Sequence, residues 1–125
     1  MKRLFVMTLI LLSGGPAYGE WVRIATDDQG MTAYVDLHTI QRKGEMVEMW
    51  ALVDIETAKG DSFLSRKEQG EYDCAAERHR RLAGSWYSEH MGNGKVDAID
   101  AHESKWNRIE PGSIPQILWK VACSK

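Results

Sequence analysis

This chain has little of what catalysis or metal binding is usually built from. Its four histidines, His38, His79, His90 and His102, are scattered. A metal site needs several ligands converging, helped by spacings such as H-x₃-H, and no such spacing occurs, so no metal is expected. No serine stands in a G-x-S-x-G setting. Gly92-Asn93-Gly94 is too short for a phosphate loop, and Lys95-Val96 follows it instead of G-K-S/T. The neighbouring carboxylates Asp27-Asp28, and Asp97 with Asp100, fall in expected turns, where solvated charge is the ordinary state. These absences argue against an enzyme and against a bound cofactor. His90 and His102 flank a glycine turn and could meet across a hairpin. The 16 basic residues do not outnumber the 18 acidic ones, which removes the electrostatic basis of non-specific nucleic-acid binding. No repeat or low-complexity segment is present, and no apolar run is long enough to span a bilayer.

The one apolar run, Leu4–Leu12, follows Met1-Lys2-Arg3 and ends in Ser13-Gly14-Gly15-Pro16 and the small-residue site Ala17-Tyr18-Gly19. This pattern predicts a secretory signal peptide over 1–19, cut before Glu20; a buried first strand or helix is the alternative. A lipid anchor at that cut would need a cysteine where Glu20 stands. Cleavage also removes Lys2 and Arg3, leaving 106 residues with 14 basic against 18 acidic side chains. That is one domain, 20–125, periplasmic or secreted, with a thin core that a staple would help. Cys74 and Cys123, the only cysteines, allow one internal pairing in an exported chain. Closing their loop is worth about 4 kcal/mol by chain entropy, less native strain. Free or intermolecular thiols are the alternative.

The strongest helix signal is at the end. Ser113 can serve as N-cap, with Gln116 completing a capping box. Pro115 falls in the first turn, where its missing N–H costs nothing. Ile114, Ile117, Leu118 and Val121 form one apolar stripe, and a Cys74–Cys123 bridge would pin it to a sheet.

Upstream the chain reads as strands. Trp21–Ala25 and Met31–Val35 are expected to pair as a hairpin across Asp27–Gly30. Asp36–Thr39 reads as a helical turn or a corner, with Leu37 and Ile40 tucked inwards. Residues 45–56 give the clearest strand, with Val47, Met49, Ala51, Val53 and Ile55 on one face and a mixed second face carrying Trp50 and Leu52. Residues 56–61 read as a loop and Ser62–Gln69 as a polar strand. Gly70-Glu71 reads as a hairpin tip, followed by a strand over Tyr72–Ala83. Ala75, Ala76 and Glu77 also suit a helix, but strand is preferred because Cys74 must meet a helix; small Ala76 would let that helix approach. Gly84 is expected to end the strand and Ser85–Met91 to form another, before a turn at Gly92-Asn93-Gly94. Lys95–Asn107 is either an extended linker or a short last strand.

The only cationic cluster is Arg78, His79, Arg80 and Arg81, with Arg66 and Lys67 on the preceding strand. Pairing across Gly70-Glu71 would bring Arg66 and Lys67 near Asp73 and Cys74, so the cations form either one strip or two. Arg78, Arg80 and Arg81 are the candidate contacts for an acidic polysaccharide or an acidic protein surface. Alternatively they cross the sheet edge and pair with Glu77 or Glu89. Trp50, Trp86 and Trp106 fit a core over the sheet. Trp119, beside the helix stripe, is either a core flank or a binding anchor.

The elements A-Y-V-D at Ala33–Asp36, M-W-A-L-V-D at Met49–Asp54, E-Y-D-C at Glu71–Cys74 and W-N-R-I-E-P-G-S at Trp106–Ser113, ending in Cys123, come in an order that resembles the surface-adhesin protein E family of proteobacteria. The likeness covers essentially the whole chain after residue 19. It implies an α+β fold: an antiparallel sheet of about six strands, with the C-terminal helix packed on its concave side and tethered through Cys74 and Cys123. It also implies an adhesin that binds host matrix and plasma proteins, and a dimer. This chain lacks the lipobox cysteine of the founding lipoprotein.

Three readings of function follow. The leading one is a non-enzymatic exported binding module for a protein or acidic polymer. The second is a structural or accessory subunit of a cell-envelope complex, acting through a sheet edge or a homodimer interface. The third, an inhibitor or enzyme, would need a deep pocket with converging histidine and carboxylate.

Overall fold

A computed structural model describes residues 20–56 and 63–124. The expected signal peptide and most of the expected 56–61 loop lie outside them. The described residues form nine regular elements in order: β1 Trp21–Thr26, β2 Met31–Asp36, β3 Gln41–Lys43, β4 Met46–Ile55, β5 Ser65–Asp73, β6 Arg78–Tyr87, β7 Val96–Asp100, β8 Asn107–Arg108 and helix α1 Ile114–Cys123, with 3₁₀ turns at Leu37–Thr39 and His90–Gly92. The sheet is antiparallel in the order β1-β2-β4-β5-β6-β7, with β3 pairing β4 and β8 pairing β6.

Local chemistry explains the turns. Asp27 Oδ1 accepts from the Gln29 and Met31 N–H groups, each at 2.9 Å, and closes the β1–β2 hairpin. Asp36 closes the first 3₁₀ turn by accepting from His38 N–H at 3.0 Å. Leu37, expected to tuck inwards, is exposed in that turn. The β5–β6 turn differs from the sequence expectation. Gly70-Glu71 is no hairpin tip, and Tyr72–Ala83 is not one strand. Strand β5 runs on to Asp73, and Cys74–Glu77 make the turn. Asp73 Oδ1 accepts from Ala75 N–H at 3.1 Å and Ala76 N–H at 3.2 Å, and Glu77 adopts a φ of 50°. Ala76 is exposed in this turn. Gly84 likewise does not end a strand; it lies inside β6, which continues through Trp86 and Tyr87. The Gly92–Gly94 turn is present, and the ambiguous 95–107 segment contains β7.

Gly70 is glycine for packing. A Cβ there would sit 2.5 Å from Tyr72 Oη and 2.8 Å from two ring carbons, and Tyr72 is only 1 % exposed. The ring cannot move into solvent. Gly70→Ala is expected to cost about 1–3 kcal/mol by overpacking, read from the urea midpoint; an unchanged midpoint would show that the ring yields freely.

Strand alternation divides the sheet. Ala33, Val35, Val47, Met49, Ala51, Val53 and Tyr72 form the core with Ile114, Leu118 and Ala122 of α1. Ile117 and Val121 of the expected stripe pack at its margin. Ser113 caps α1 by accepting from Gln116 N–H at 3.2 Å, while Gln116 Oε1 accepts from Gly112 N–H at 2.8 Å. At the other end Arg42 donates to the Ala122 and Ser124 carbonyls at 2.9 and 3.1 Å, a cation on the negative end of the helix dipole. Cys74 and Cys123 form a disulfide with a Cα–Cα separation of 5.6 Å. The helix thus lies over β2, β4 and the adjoining part of β5.

Candidate functional site

Helix α1 leaves the β5–β6 part of the same sheet face open. The cross-strand pairs Arg66↔Trp86, Glu68↔Gly84, Gly70↔Arg81 and Tyr72↔His79 continue the face that carries Val53, Ala51, Met49 and Val47 on β4. Here the sheet floors a cleft of about 340 Å³, with Pro115 of α1 in one wall and Ser104 and Asn107 in another. Gly84 leaves room for two of its lining side chains to approach. A Cβ there would lie 3.1 Å from Arg81 Cδ and 3.2 Å from Trp86 Cη2, and without one the Arg81 guanidinium reaches 5.4 Å from the Trp86 ring centroid.

The arginine run does not make one strip. Arg78 and Arg80 pair across β5 with Asp73 and Glu71, residues that face away from α1, whereas Arg81 pairs with Gly70 on the helix side. On the far face Arg78 donates to Asp73 at 2.9 Å, and Arg80 bonds Glu71 at 2.8 Å and Glu103 at 3.2 Å. Both guanidiniums lie over Trp106, at 4.3 and 4.5 Å from its centroid. This cluster braces the chain around Trp106 against the sheet, each contact contributing on the order of 0.5–1 kcal/mol. The carboxylates are Asp73, Glu71 and Glu103, not Glu77 or Glu89.

In the cleft Arg81 donates to Asp100 at 3.0 Å, and Arg66 to Glu68 at 2.8 Å. Arg66 therefore meets the arginine run here and is not held beside Asp73, because the turn falls at Cys74–Glu77. Arg81 Nε is the one buried side-chain nitrogen or oxygen without a hydrogen-bond partner among the described residues. On this side of the sheet the cleft is lined by the guanidiniums of Arg66 and Arg81, paired with Glu68 and Asp100, while Arg80 borders it with its guanidinium held by Glu71 and Glu103 on the far face.

Trp119 is half-buried against the core, and its indole N–H donates to the Asp73 carbonyl at 3.0 Å. It is not among the residues lining the cleft. His90 bonds Asp54 and His102 bonds Asp100, so these two histidines serve different carboxylates. Among the described residues no three His, Cys, Asp or Glu side chains converge on a metal position. Sequence reasoning missed Trp86 and Glu68 as cleft residues. Strand alternation applied within Arg78–Arg81 is the signal that separates Arg81 from Arg78 and Arg80.

Protonation follows from the packing. The Arg78 guanidinium holds the Asp73 carboxyl below its ordinary range; burial opposes this, and the Ala76 and Ala75 N–H groups assist. Burial lowers the His79 imidazole, with Glu68 opposing; its ring stacks on Tyr72 with centroids 6.4 Å apart. Asp100 is lowered first by the His102 backbone N–H and then by Arg81. All three values are depressed in the folded chain, so their stabilising contribution is complete above the unfolded values and is lost as pH falls. Stability is expected to decline in one step below about pH 6.5 from His79 and in a second below about pH 4 from Asp73 and Asp100. Urea midpoints from pH 8 to 3 would check this. His79→Gln should flatten the first step alone; a first step unchanged in that variant would assign it elsewhere.

The arrangement is an α+β domain whose single sheet is half covered by a disulfide-tethered helix, leaving an open cleft beside it. The family model for surface-adhesin protein E matches residues 21–124, and the chain belongs to that family. Solved structures of Haemophilus influenzae protein E share the fold at 15 % identity. Its crystal form II gives a TM-score of 0.60, with 87 % of this chain and 93 % of that one covered. The selenomethionine form gives 0.59, covering 86 % and 90 % at 15 % identity. The protein from non-typeable Haemophilus influenzae gives 0.56, covering 82 % and 74 % at 15 % identity. No curated protein sequence matches the chain significantly.

Proposed function

We propose that this chain is an exported, non-enzymatic binding module that takes a short acidic segment of a partner protein into the cleft beside α1. One observation carries the reading: Arg81 Nε is buried without a partner among the described residues, beside a cleft that Arg81 and Arg66 line on the helix side of the sheet. A buried donor left unpaired is costly, and a carboxylate satisfies a guanidinium in the strongest way available to a side chain. Family membership supports a surface role. The cleft favours a protein over a long acidic polymer, because Arg78 lies on the far face and is held by Asp73. On this reading Arg81 and Arg66 contact the ligand, while Trp119 acts from inside by fixing the Asp73 turn. Export follows removal of 1–19, so the mature protein is expected to begin at Glu20 by mass spectrometry; an uncut chain from cells would count against export.

The binding test uses fluorescein-labelled hexaglutamate with the mature protein. Arg81→Gln combined with Arg66→Gln should weaken binding about ten-fold or more. Arg78→Gln should leave it unchanged. Equal losses from all three sites would favour a diffuse basic surface, and no loss in the double variant would reject the cleft.

A further inference from the structure

Strand β7 ends the sheet, pairing only with β6 among the described residues. Its register carries an irregularity: Trp86 pairs with Ala98 and Tyr87 with Val96, so Asp97 is the extra residue of a bulge. A bulge re-aims side chains. Val96 opposes Tyr87 and Ile99 opposes Ser85, and Tyr87 and Ser85, two apart on β6, share a face. The bulge thus brings Val96 and Ile99, three apart in sequence, onto the sheet face opposite the cleft. They are 45 % and 75 % exposed. Large apolar side chains on an outer strand are what edges normally avoid, through lysine, proline or cover. Val96–Asp100 contains neither lysine nor proline.

We propose that β7 is a second interaction surface, on which a partner protein adds an extended strand carrying two apolar side chains and a basic residue. The apolar pair supplies anchors, and the open backbone edge supplies hydrogen bonds for strand addition. Charge names the third feature. Asp100 is held by Arg81, whereas Asp97 is exposed and has no ion-pair partner among the described residues. A lysine or arginine of the incoming strand would meet it. A second copy of this chain fits less well, since it would double the carboxylates along one short seam.

The probe is the peptide acetyl-VKVKVK-amide, titrated into the mature protein and followed by amide chemical shifts and amide hydrogen exchange. Its glutamate counterpart and a proline-interrupted version are the controls. Shifts and slowed exchange are expected at Ala98–Asp100. Ile99→Ser should weaken binding about ten-fold by loss of apolar burial, and Asp97→Asn about three-fold with a shallower salt dependence. Both positions are exposed, so folding should be unaffected. Val22→Ser on β1, the opposite edge, should change nothing. Equal binding of the glutamate or proline peptide would overturn the proposal. So would protection at β1 in place of β7, or a dimer forming through β7 without peptide. Arg66→Gln, whose guanidinium pairs with Glu68 on β5 and not with β7, should leave this peptide's affinity intact, so failure of the cleft reading and failure of this one can be told apart.

Discussion

Removing the disulfide, by Cys74→Ala with Cys123→Ala, is expected to lower the unfolding free energy by about 4 kcal/mol. For a domain of this size that is about 15–30 °C in melting temperature. The bridge spans a sequence separation of 49, so reducing it frees a long loop in the unfolded chain. Its position adds to the effect. Cys74 opens the β5–β6 turn and Cys123 is the last residue of α1, so the bridge fastens the end of the helix to the sheet. Two non-covalent ties sit beside it: the Trp119 indole on the Asp73 carbonyl and Arg42 on the helix-end carbonyls. These should keep the double variant folded at low temperature. Thermal and urea unfolding of the oxidised, reduced and double-alanine proteins would check this. A loss below about 1 kcal/mol would mean that these ties and the Ile114–Leu118–Ala122 packing already restrain the helix. The cleft should weaken along with the bridge, because Pro115 of α1 forms part of its wall.

The second large effect is expected at Leu118→Ala. Leu118 is 1 % exposed and packs between α1 and the sheet, among Val35, Met49, Val53 and Tyr72 of the core cluster. Deleting its isobutyl group removes burial and leaves a cavity that the strands cannot close, because they are fixed by their ladders. A loss of about 3 kcal/mol is expected. Ile117→Ala, on the margin of the same helix, should lose less. Chemical denaturation of both variants is the measurement. Equal losses would place the helix in a different rotation over the sheet. The cost should appear in stability before it appears in binding, since Leu118 does not line the cleft.

Much of this protein is legible residue by residue. Alternation over Met46–Ile55 identified β4 and its inward face, because a strand covered on one side must alternate. The capping residues and stripe located α1, since its end needs a cap and its apolar face needs a sheet. Two cysteines made the bridge a single choice. The β5–β6 connection was not legible. Gly70 has the composition of a turn but serves packing, leaving room for the Tyr72 ring. The true turn uses Cys74–Glu77, whose alanines carry no turn signal; the Asp73 side chain and the left-handed Glu77 close it.

The sequence by itself determined the strands of strongest alternation, the terminal helix and the bridge, because each depends on local spacing or on counting. Only the tertiary structure decided where β5 turns back, and hence which residues oppose Arg78–Arg81. That register put Arg78 among the carboxylates of one face and Arg81 in a cleft on the other, and a one-residue bulge set Val96 beside Ile99. Facing in a sheet has period two, so a single displaced turn or extra residue reassigns every side chain beyond it.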